Sequence, residues 1–272
     1  SSQFGFRKNH NTIDAVQALV SDMINGLEHK HNTFFRSFDM SKAFDTVAHD
    51  VLVSKLFFYK FDNTLVKFFA SYLHGRAQTV YLNDSFSCAL PVHHGVPQGS
   101  VLGPTLFIMY INDLPANLTL TGSKCFLFAD DLGMFVSEKT LVETKDNIDA
   151  NTSLVLDWCN ANKLMVNTGK TQDLEIRLGV SQKNVKHIKF LGVLVQSDLK
   201  WISHINNVAS KVSKGIFLLR SLKDSVGPDV LLSLYYGHIH SHMTYGTSLW
   251  ANSGQANKIF VLQKQALRVM CG

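Results

Sequence analysis

Two stretches of this chain are apolar enough to demand burial, and each runs directly into carboxylates. Cys125-Phe126-Leu127-Phe128-Ala129 is almost wholly apolar, breaks at Asp130-Asp131, and resumes as an apolar run over 132–136. Thr33-Phe34-Phe35-Arg36-Ser37-Phe38 is rich in aromatics and stops at Asp39. Short apolar runs closed by turn-forming residues are expected to be interior strands. The first pair reads as a hairpin with its acids at the bend. Strands of this kind bury both faces only when helices cover them, which points to the α+β class: a central antiparallel sheet backed by helices.

The covering helices are legible from their periods. Ile13, Val16, Leu19, Val20, Met23, Ile24 and Leu27 recur at three- and four-residue spacings and predict an amphipathic helix over 12–28. Helices follow near 47–59 and 63–74, the second stopped by Gly75. Residues 78–82 and 86–92 form a hairpin around Asn83-Asp84. After Gly95-Val96-Pro97-Gln98-Gly99 a long apolar helix is expected over about 100–114, ended by Pro115. A helix over 140–163 leads to strands at 164–167, 173–178 and 187–195, and from 203 onward the pattern is helical. The change from β-like to helical text lies near 197–201.

The chain has 272 residues, of which 46% are hydrophobic, enough for one large domain or two lobes. No apolar run approaches the roughly 18–20 residues of a membrane span. No basic segment followed by an apolar one opens the chain, which starts Ser1-Ser2-Gln3 and reads as a fragment of a longer protein. Cys88, Cys125, Cys159 and Cys271 lie far apart without metal-ligand spacing, as expected for thiols in a reducing, intracellular compartment. His93-His94 has no spacing partner for a metal and is read as structural. Residues 183–272 hold 11 Lys/Arg against 3 Asp/Glu, while the preceding 182 hold 15 against 18. An acidic front and a basic tail suit a carboxylate-bearing core joined to a lobe that meets a polyanion.

Taken singly, Asp39 could be a helix cap and Asp130-Asp131 a simple turn. Together they are harder to explain as turn chemistry. Adjacent carboxylates at the end of an apolar sheet repel one another, and desolvation disfavours their charge. Mg²⁺ takes hard oxygen ligands and neutralises such a cluster. Two such ions can clamp the attacking and leaving oxygens of a phosphoryl transfer.

Phe38-Asp39-Met40-Ser41-Lys42-Ala43-Phe44-Asp45 resembles the first carboxylate motif of reverse transcriptases. Gly95-Val96-Pro97-Gln98-Gly99-Ser100-Val101-Leu102-Gly103-Pro104 is similar to their motif B in the form found in non-LTR (LINE-type) retrotransposons, and Phe128-Ala129-Asp130-Asp131 resembles the aromatic-x-Asp-Asp box. Gln3-Phe4-Gly5-Phe6-Arg7, Tyr110-Ile111-Asn112-Asp113-Leu114-Pro115, Asn167-x-x-Lys170-Thr171 and Phe190-Leu191-Gly192-Val193 resemble further family motifs, in the family's order. Ala48 departs from the pattern where relatives usually carry Asp, and Phe128 stands where Tyr is commoner.

The resemblance implies a right-hand polymerase fold: partial fingers over 1–32, a palm over 33–198 with helices at about 47–75, and a helical thumb with the start of the following connection over 199–272. It implies an RNA-directed DNA polymerase that extends a DNA primer 3′-hydroxyl, or nicked target DNA, on an RNA template with dNTPs. Asp39 and Asp130 would hold two Mg²⁺ ions, with Mn²⁺ a possible substitute and Asp131 a supporting carboxylate. Lys170 would protonate the leaving pyrophosphate. Phe44 would gate against a ribose 2′-hydroxyl, with Met40, Gln98 and Gly99 also at the nucleotide. Arg7 and Lys8, and Lys200, Lys211, Lys214, Arg220 and Lys223, would track nucleic-acid phosphates. The family implies a nuclear setting for the parent element, and oligomeric state is left open. A different class of reading is a catalytically inactive, domesticated palm–thumb that binds nucleic acid as a scaffold.

Overall fold

The register between the two apolar strands organises the first part of the molecule. In the computed structural model, which describes residues 2–119, 122–177 and 185–271, Asn32–Phe38 is strand β1. It follows helix α1, Thr12–Glu28, whose start is capped by Asn11: its Oδ1 accepts from the amides of Ile13 at 2.8 Å and Asp14 at 3.1 Å. Three helices come next: α2 (Ala43–Thr46), α3 (His49–Phe58) and α4 (Asn63–Leu73). Short strands β2 (Ala77–Gln78), β3 (Tyr81–Leu82), β4 (Ser85–Phe86) and β5 (Leu90–Pro91) pair as the expected hairpin, β3 with β4 and β2 with β5. Asn83 and Asp84 both take positive φ at its tip, 49° and 59°.

Helices α5 (Leu102–Ile111) and α6 (Leu114–Thr119) then lead to β6 (Lys124–Phe128), β7 (Asp131–Glu138) and α7 (Leu141–Ala161). Beyond α7 lies β8, Gln172–Ile176. The sheet order is β6-β7-β1-β8. β1 and β7 are antiparallel from Asn32 opposite Glu138 to Phe38 opposite Leu132, and β6 returns along β7 with Phe128 opposite Asp131. This register lines up the end of β1 with the β6–β7 turn, so Asp39 and Asp130-Asp131 come to one end of the sheet.

Behind the sheet, α3, α5 and α7 supply a core that includes Leu52, Leu56, Leu106, Phe107, Tyr110, Val155 and Trp158. Truncating such a residue to alanine costs roughly 2–5 kcal/mol. Two polar fastenings enter this core. Arg36 holds Asp173 through two 2.7 Å hydrogen bonds and donates to Thr152 at 2.8 Å. Hydrogen bonding to Asp173 is the main reason its guanidinium is held still more firmly protonated than usual. Lys55 donates to the Tyr110 carbonyl at 2.7 Å and the Asp113 carboxylate at 2.6 Å, with its ammonium over the Tyr110 and Trp158 rings. Burial lowers the Lys55 pKa against the pull of Asp113.

Three sequence expectations are corrected here. The helix expected over about 100–114 breaks after Ile111, because Asp113 turns to Lys55 and the Tyr110 carbonyl is taken by the same ammonium. Pro115 therefore opens α6 instead of closing α5, at a position where a missing N–H leaves no bond unmade. The stretch 164–167 is not a strand; Val166 makes only a single bridge, to Met40. The strand expected over 187–195 is two strands, β9 (His187–Phe190) and β10 (Val193–Gln196), folded back at Leu191-Gly192. The last residue of the strand expected over 173–178 lies outside the described residues.

The chain forms two compact units, residues 1–15 with 28–173, and residues 16–27 with 174–272. The second unit contains β9, β10 and the helices α8 (Ile202–Leu222), α9 (Pro228–Tyr235), α10 (Ser241–Thr244), α11 (Thr247–Trp250) and α12 (Asn257–Cys271). Its inner face on α8 runs Ile205, Val208, Ala209, Val212, Ile216, Leu219, the spacing of an amphipathic helix. All four cysteines are free thiols; burial pushes Cys125 up to about 12 and Cys159 to about 11. Among the described residues no helix is long and apolar enough to cross a membrane.

Candidate active site

The β6–β7 bend is tight: Ala129 and Asp130 form it, and Ala129 takes φ +57°, which costs an alanine steric energy. That conformation ends one strand on Phe128 and starts the next on Asp131. Asp130 and Asp131 thus stand side by side at the edge of a hydrophobic sheet. Burial is the first cause that holds the Asp130 carboxyl above the ordinary range, and the charge of Asp39 adds to it. Asp131 keeps open surface but is crowded on its other sides. Desolvation raises it first, then the charges of Asp130 and Asp39. Each shift has a cause a nearby cation would cancel.

Past Asp39 the backbone zips onto the segment after α7. The Asn167 amide donates to the Asp39 carbonyl at 2.8 Å and the Ser41 amide to the Met165 carbonyl at 2.9 Å. A 3₁₀ turn at Thr168–Lys170 then carries the lysine back, and its Nζ lies 3.5 Å from Asp39 Oδ2. The sequence placed Lys170 in the site without this pairing. Met40, next to Asp39, is packed into the core at 5% exposure, so its side chain is not open to a ligand.

Phe44, half-buried in α2, stacks on Phe107 of α5 with ring centres 4.2 Å apart and takes an edge from Phe6. Its carbonyl accepts from the Val96 amide at 2.8 Å, while the Val47 carbonyl accepts from the Gly95 amide at 2.8 Å. These bonds tie the segment after Asp39 to the glycine-rich loop. Gln98 is exposed and donates from Nε2 to Asp45 Oδ1 at 2.7 Å. Gly99 has φ +77° with open space where a Cβ would stand. Asp45, inside the motif read from the sequence, was not singled out there as a site residue. Its pairing with Gln98 spans 53 residues and leaves no local signal in the sequence. Asp45, Gln98, His49, His94 and Arg76 line a cavity of about 670 Å³. Ala48 is fully buried beside His94, a place where a carboxylate would be desolvated, so alanine suits this chain.

Arg7 and Lys8 are exposed on the first unit, and Arg7 donates to the Gln3 carbonyl at 3.0 Å. In the second unit Lys200, Lys211, Lys214, Arg220 and Lys223 are all exposed. Lys211 and Lys214 are neighbours on α8, whereas Arg220, nine residues beyond Lys211, faces about half a turn away. The basic residues of this helix are not a single stripe.

The donor set suits a hard divalent cation: carboxylates that share a site and, among the described residues, have no ion pair beyond that of Lys170 with Asp39. Among the described residues no group of three or more His, Cys, Asp or Glu is already placed to hold a metal ion. The structure therefore shows the three carboxylates gathered within reach of each other's charge but not closed into a coordination shell.

Comparison with known proteins supplies the context. A family described as "Reverse transcriptase (RNA-dependent DNA polymerase)" matches residues 1–195. The chain is 28% identical over 98% of its length to the "Probable RNA-directed DNA polymerase from transposon BS" of Drosophila melanogaster. It is equally identical, over 99% of its length, to the "Probable RNA-directed DNA polymerase from transposon X-element" of the same organism. It spans about a third of the length of both, 32%. Apo telomerase from Candida tropicalis shares the fold, with TM-score 0.56 over 99% of this chain and 51% of the telomerase at 13% identity.

Proposed function

The chain belongs to the reverse transcriptase family, among the polymerases of non-LTR retrotransposons, and on that premise we propose that it is the polymerase core of an RNA-directed DNA polymerase. The observation that carries the reading is the convergence of Asp39, Asp130 and Asp131 at one end of an apolar sheet, where burial and the neighbouring acids raise the Asp130 and Asp131 carboxyls and Lys170 pairs with Asp39. Divalent-metal dependence goes with the family. Two Mg²⁺ ions, replaceable by Mn²⁺, would be held by Asp39 and Asp130 with Asp131 in support. When bound they supply charge neutralisation at the oxygens of the reacting phosphate.

The reaction is attack of a DNA primer 3′-hydroxyl on the α-phosphorus of a dNTP, templated by RNA, with loss of pyrophosphate. The protein's own groups orient and select. The Phe44 ring, held by its stack on Phe107, is the gate that would exclude a ribose 2′-hydroxyl and so favour dNTPs. The open space at Gly99 admits the nascent base pair, and Asp45 holds Gln98 beside it. The main chain at Met40 faces the triphosphate. Lys170 Nζ, parked on Asp39 in this state, is the proton source for the departing pyrophosphate. Arg7 and Lys8 contact template phosphates, and Lys200, Lys211, Lys214 and Arg220 contact the template–primer duplex. In hand terms residues 1–32 belong to the fingers, 33–198 to the palm and 199–272 to the thumb and connection. The parent element would act in the nucleus on nicked target DNA.

The test is primer extension on an RNA template with dNTPs and Mg²⁺, beside an Asp130→Ala, Asp131→Ala double variant. Extension should fall by at least about 10²–10³-fold in the variant, the scale of losing a principal electrostatic stabiliser. If the unmodified protein binds template–primer with steep salt dependence yet never extends it, the inactive scaffold replaces this reading.

A further inference from the structure

We propose that Gln3 is a positioning residue for the catalytic turn: its side-chain carbonyl fixes the main chain at Ala129, and through it the placement of Asp130 and Asp131. The proposal rests on the polymerase reading above.

Residues 2–4 lie along the outer edge of β6, the edge strand of the sheet. The Ser2 carbonyl accepts from the Leu127 amide at 2.8 Å, and the Phe4 amide donates to the Leu127 carbonyl at 2.7 Å, a parallel bridge centred on Gln3. Gln3 is 6% exposed. Its Oε1 accepts from the Gly5 amide at 2.7 Å and from the Ala129 amide at 3.2 Å. Ala129 is the residue held at positive φ, and an amide at a sharp bend has no strand partner of its own. One carbonyl oxygen therefore ties the incoming segment and the turn to the same point.

The two residue identities follow from this geometry. A Cβ on Gly5 would come within 2.5 Å of the Ala129 nitrogen and 3.1 Å of the Phe128 carbonyl carbon, so any side chain there would push the turn outward. At position 3 the requirement is an acceptor of this length without charge. Glutamate would offer the acceptor but add a negative charge next to carboxylates that already repel one another. Methionine would fill the space without accepting. The cost of glutamine is visible: its Nε2 is buried with no hydrogen-bond partner among the described residues. Leaving a buried donor unpaired is unfavourable, so the side chain's favourable contribution lies in its acceptor oxygen.

The experiment compares the unmodified protein with Gln3→Met, Gln3→Glu and Gly5→Ala. Three readouts are taken: exchange of the Ala129 amide followed by NMR, Mn²⁺ affinity from the electron-paramagnetic-resonance signal of free Mn²⁺, and the kcat and KM of extension. Gln3→Met and Gly5→Ala should speed Ala129 exchange about tenfold or more while amides in the middle of β6 stay protected. Mn²⁺ affinity should weaken several-fold and kcat fall with it, leaving the dNTP KM near its original value. Gln3→Glu should restore Ala129 protection.

Unchanged Ala129 exchange in Gln3→Met overturns the proposal. Faster exchange with Mn²⁺ affinity and kcat both intact also overturns it, because Gln3 would then be structural only. An unmodified protein that neither binds Mn²⁺ nor extends a primer overturns the polymerase reading and this assignment together. That outcome is recognised without any variant.

Discussion

Two hairpin turns of this protein solve the same backbone problem for different ends. The β6–β7 turn places Ala129 at φ +57°, and the β9–β10 turn places Leu191 at +47° and Gly192 at +81°. Both put a non-glycine residue in the left-handed region, and both are held by a side chain from elsewhere. Gln3 accepts from Ala129, and the Tyr245 hydroxyl donates to the Leu191 carbonyl with its ring against Gly192. They differ in how they treat charge. The first turn holds two carboxylates whose ionisation burial opposes. Beside the second, the Leu194 amide of β10 donates to His204 Nδ1, and His204 sits among the Trp201 and Trp250 rings with its pKa lowered to about 4, chiefly by burial. One site keeps charge where the fold disfavours it; the other suppresses charge to suit the fold. Disfavoured negative charge is what a divalent cation can use, whereas a neutral imidazole packs and accepts one hydrogen bond.

The largest expected effect breaks the first turn. Asp130→Asn should lower extension by about 10²–10³-fold and, in metal-free buffer, raise the melting temperature at neutral pH. The sign follows from the raised carboxyls. Their protonated forms favour the folded state below the unfolded Asp value of 3.8, and that contribution is lost as pH rises through the higher folded values. Removing one acid therefore relieves repulsion at pH 7. Calorimetry with and without Mg²⁺ checks this, and a lower metal-free melting temperature would contradict it.

The second turn should respond in the opposite pH direction. Neutral His204 stabilises fully above its unfolded value of 6.5, and that contribution is lost as pH falls toward about 4. The loss amounts to about 3 kcal/mol at most. Unfolding measured between those pH values should show this slope, and His204→Phe should flatten it whatever it does to stability at neutral pH. The smallest effect is at Tyr245. Tyr245→Phe removes one hydrogen bond worth about 1 kcal/mol, so melting should fall by roughly 2–4 °C. Primer extension should change less than threefold. A large catalytic loss would mean the second turn also positions the reaction.

Much of the fold could be read from residue order, because apolar runs and helical periods are local. β1, β6, β7, α1, α4, α7 and the 78–92 hairpin lie close to where their patterns predict. The misreadings share one cause, a contact distant in sequence. Lys55 takes Asp113 and bends the chain between α5 and α6, and Tyr245 reaches back to a turn that reads as continuous strand. The site was partly legible for the same reason. Its acids end visible strands, and Phe44 and Gln98 sit in recognisable motifs. Asp45 as the holder of Gln98, and Gln3 as the acceptor for Ala129, were not legible, since each acts across 53 and 126 residues of chain.

By itself, the sequence determined which residues had to be buried, which bends had to carry carboxylates, and which family the order of motifs indicates. Those properties are set by hydrophobic pattern and local backbone preference, which act over a few residues. The tertiary structure alone decided that three acids share one electrostatic environment, that Lys170 rests on Asp39, and that an edge glutamine reaches the β6–β7 turn. Register across the sheet and the crossing of distant segments set these distances, and the interaction of charges depends on distance and solvent exclusion rather than on order along the chain.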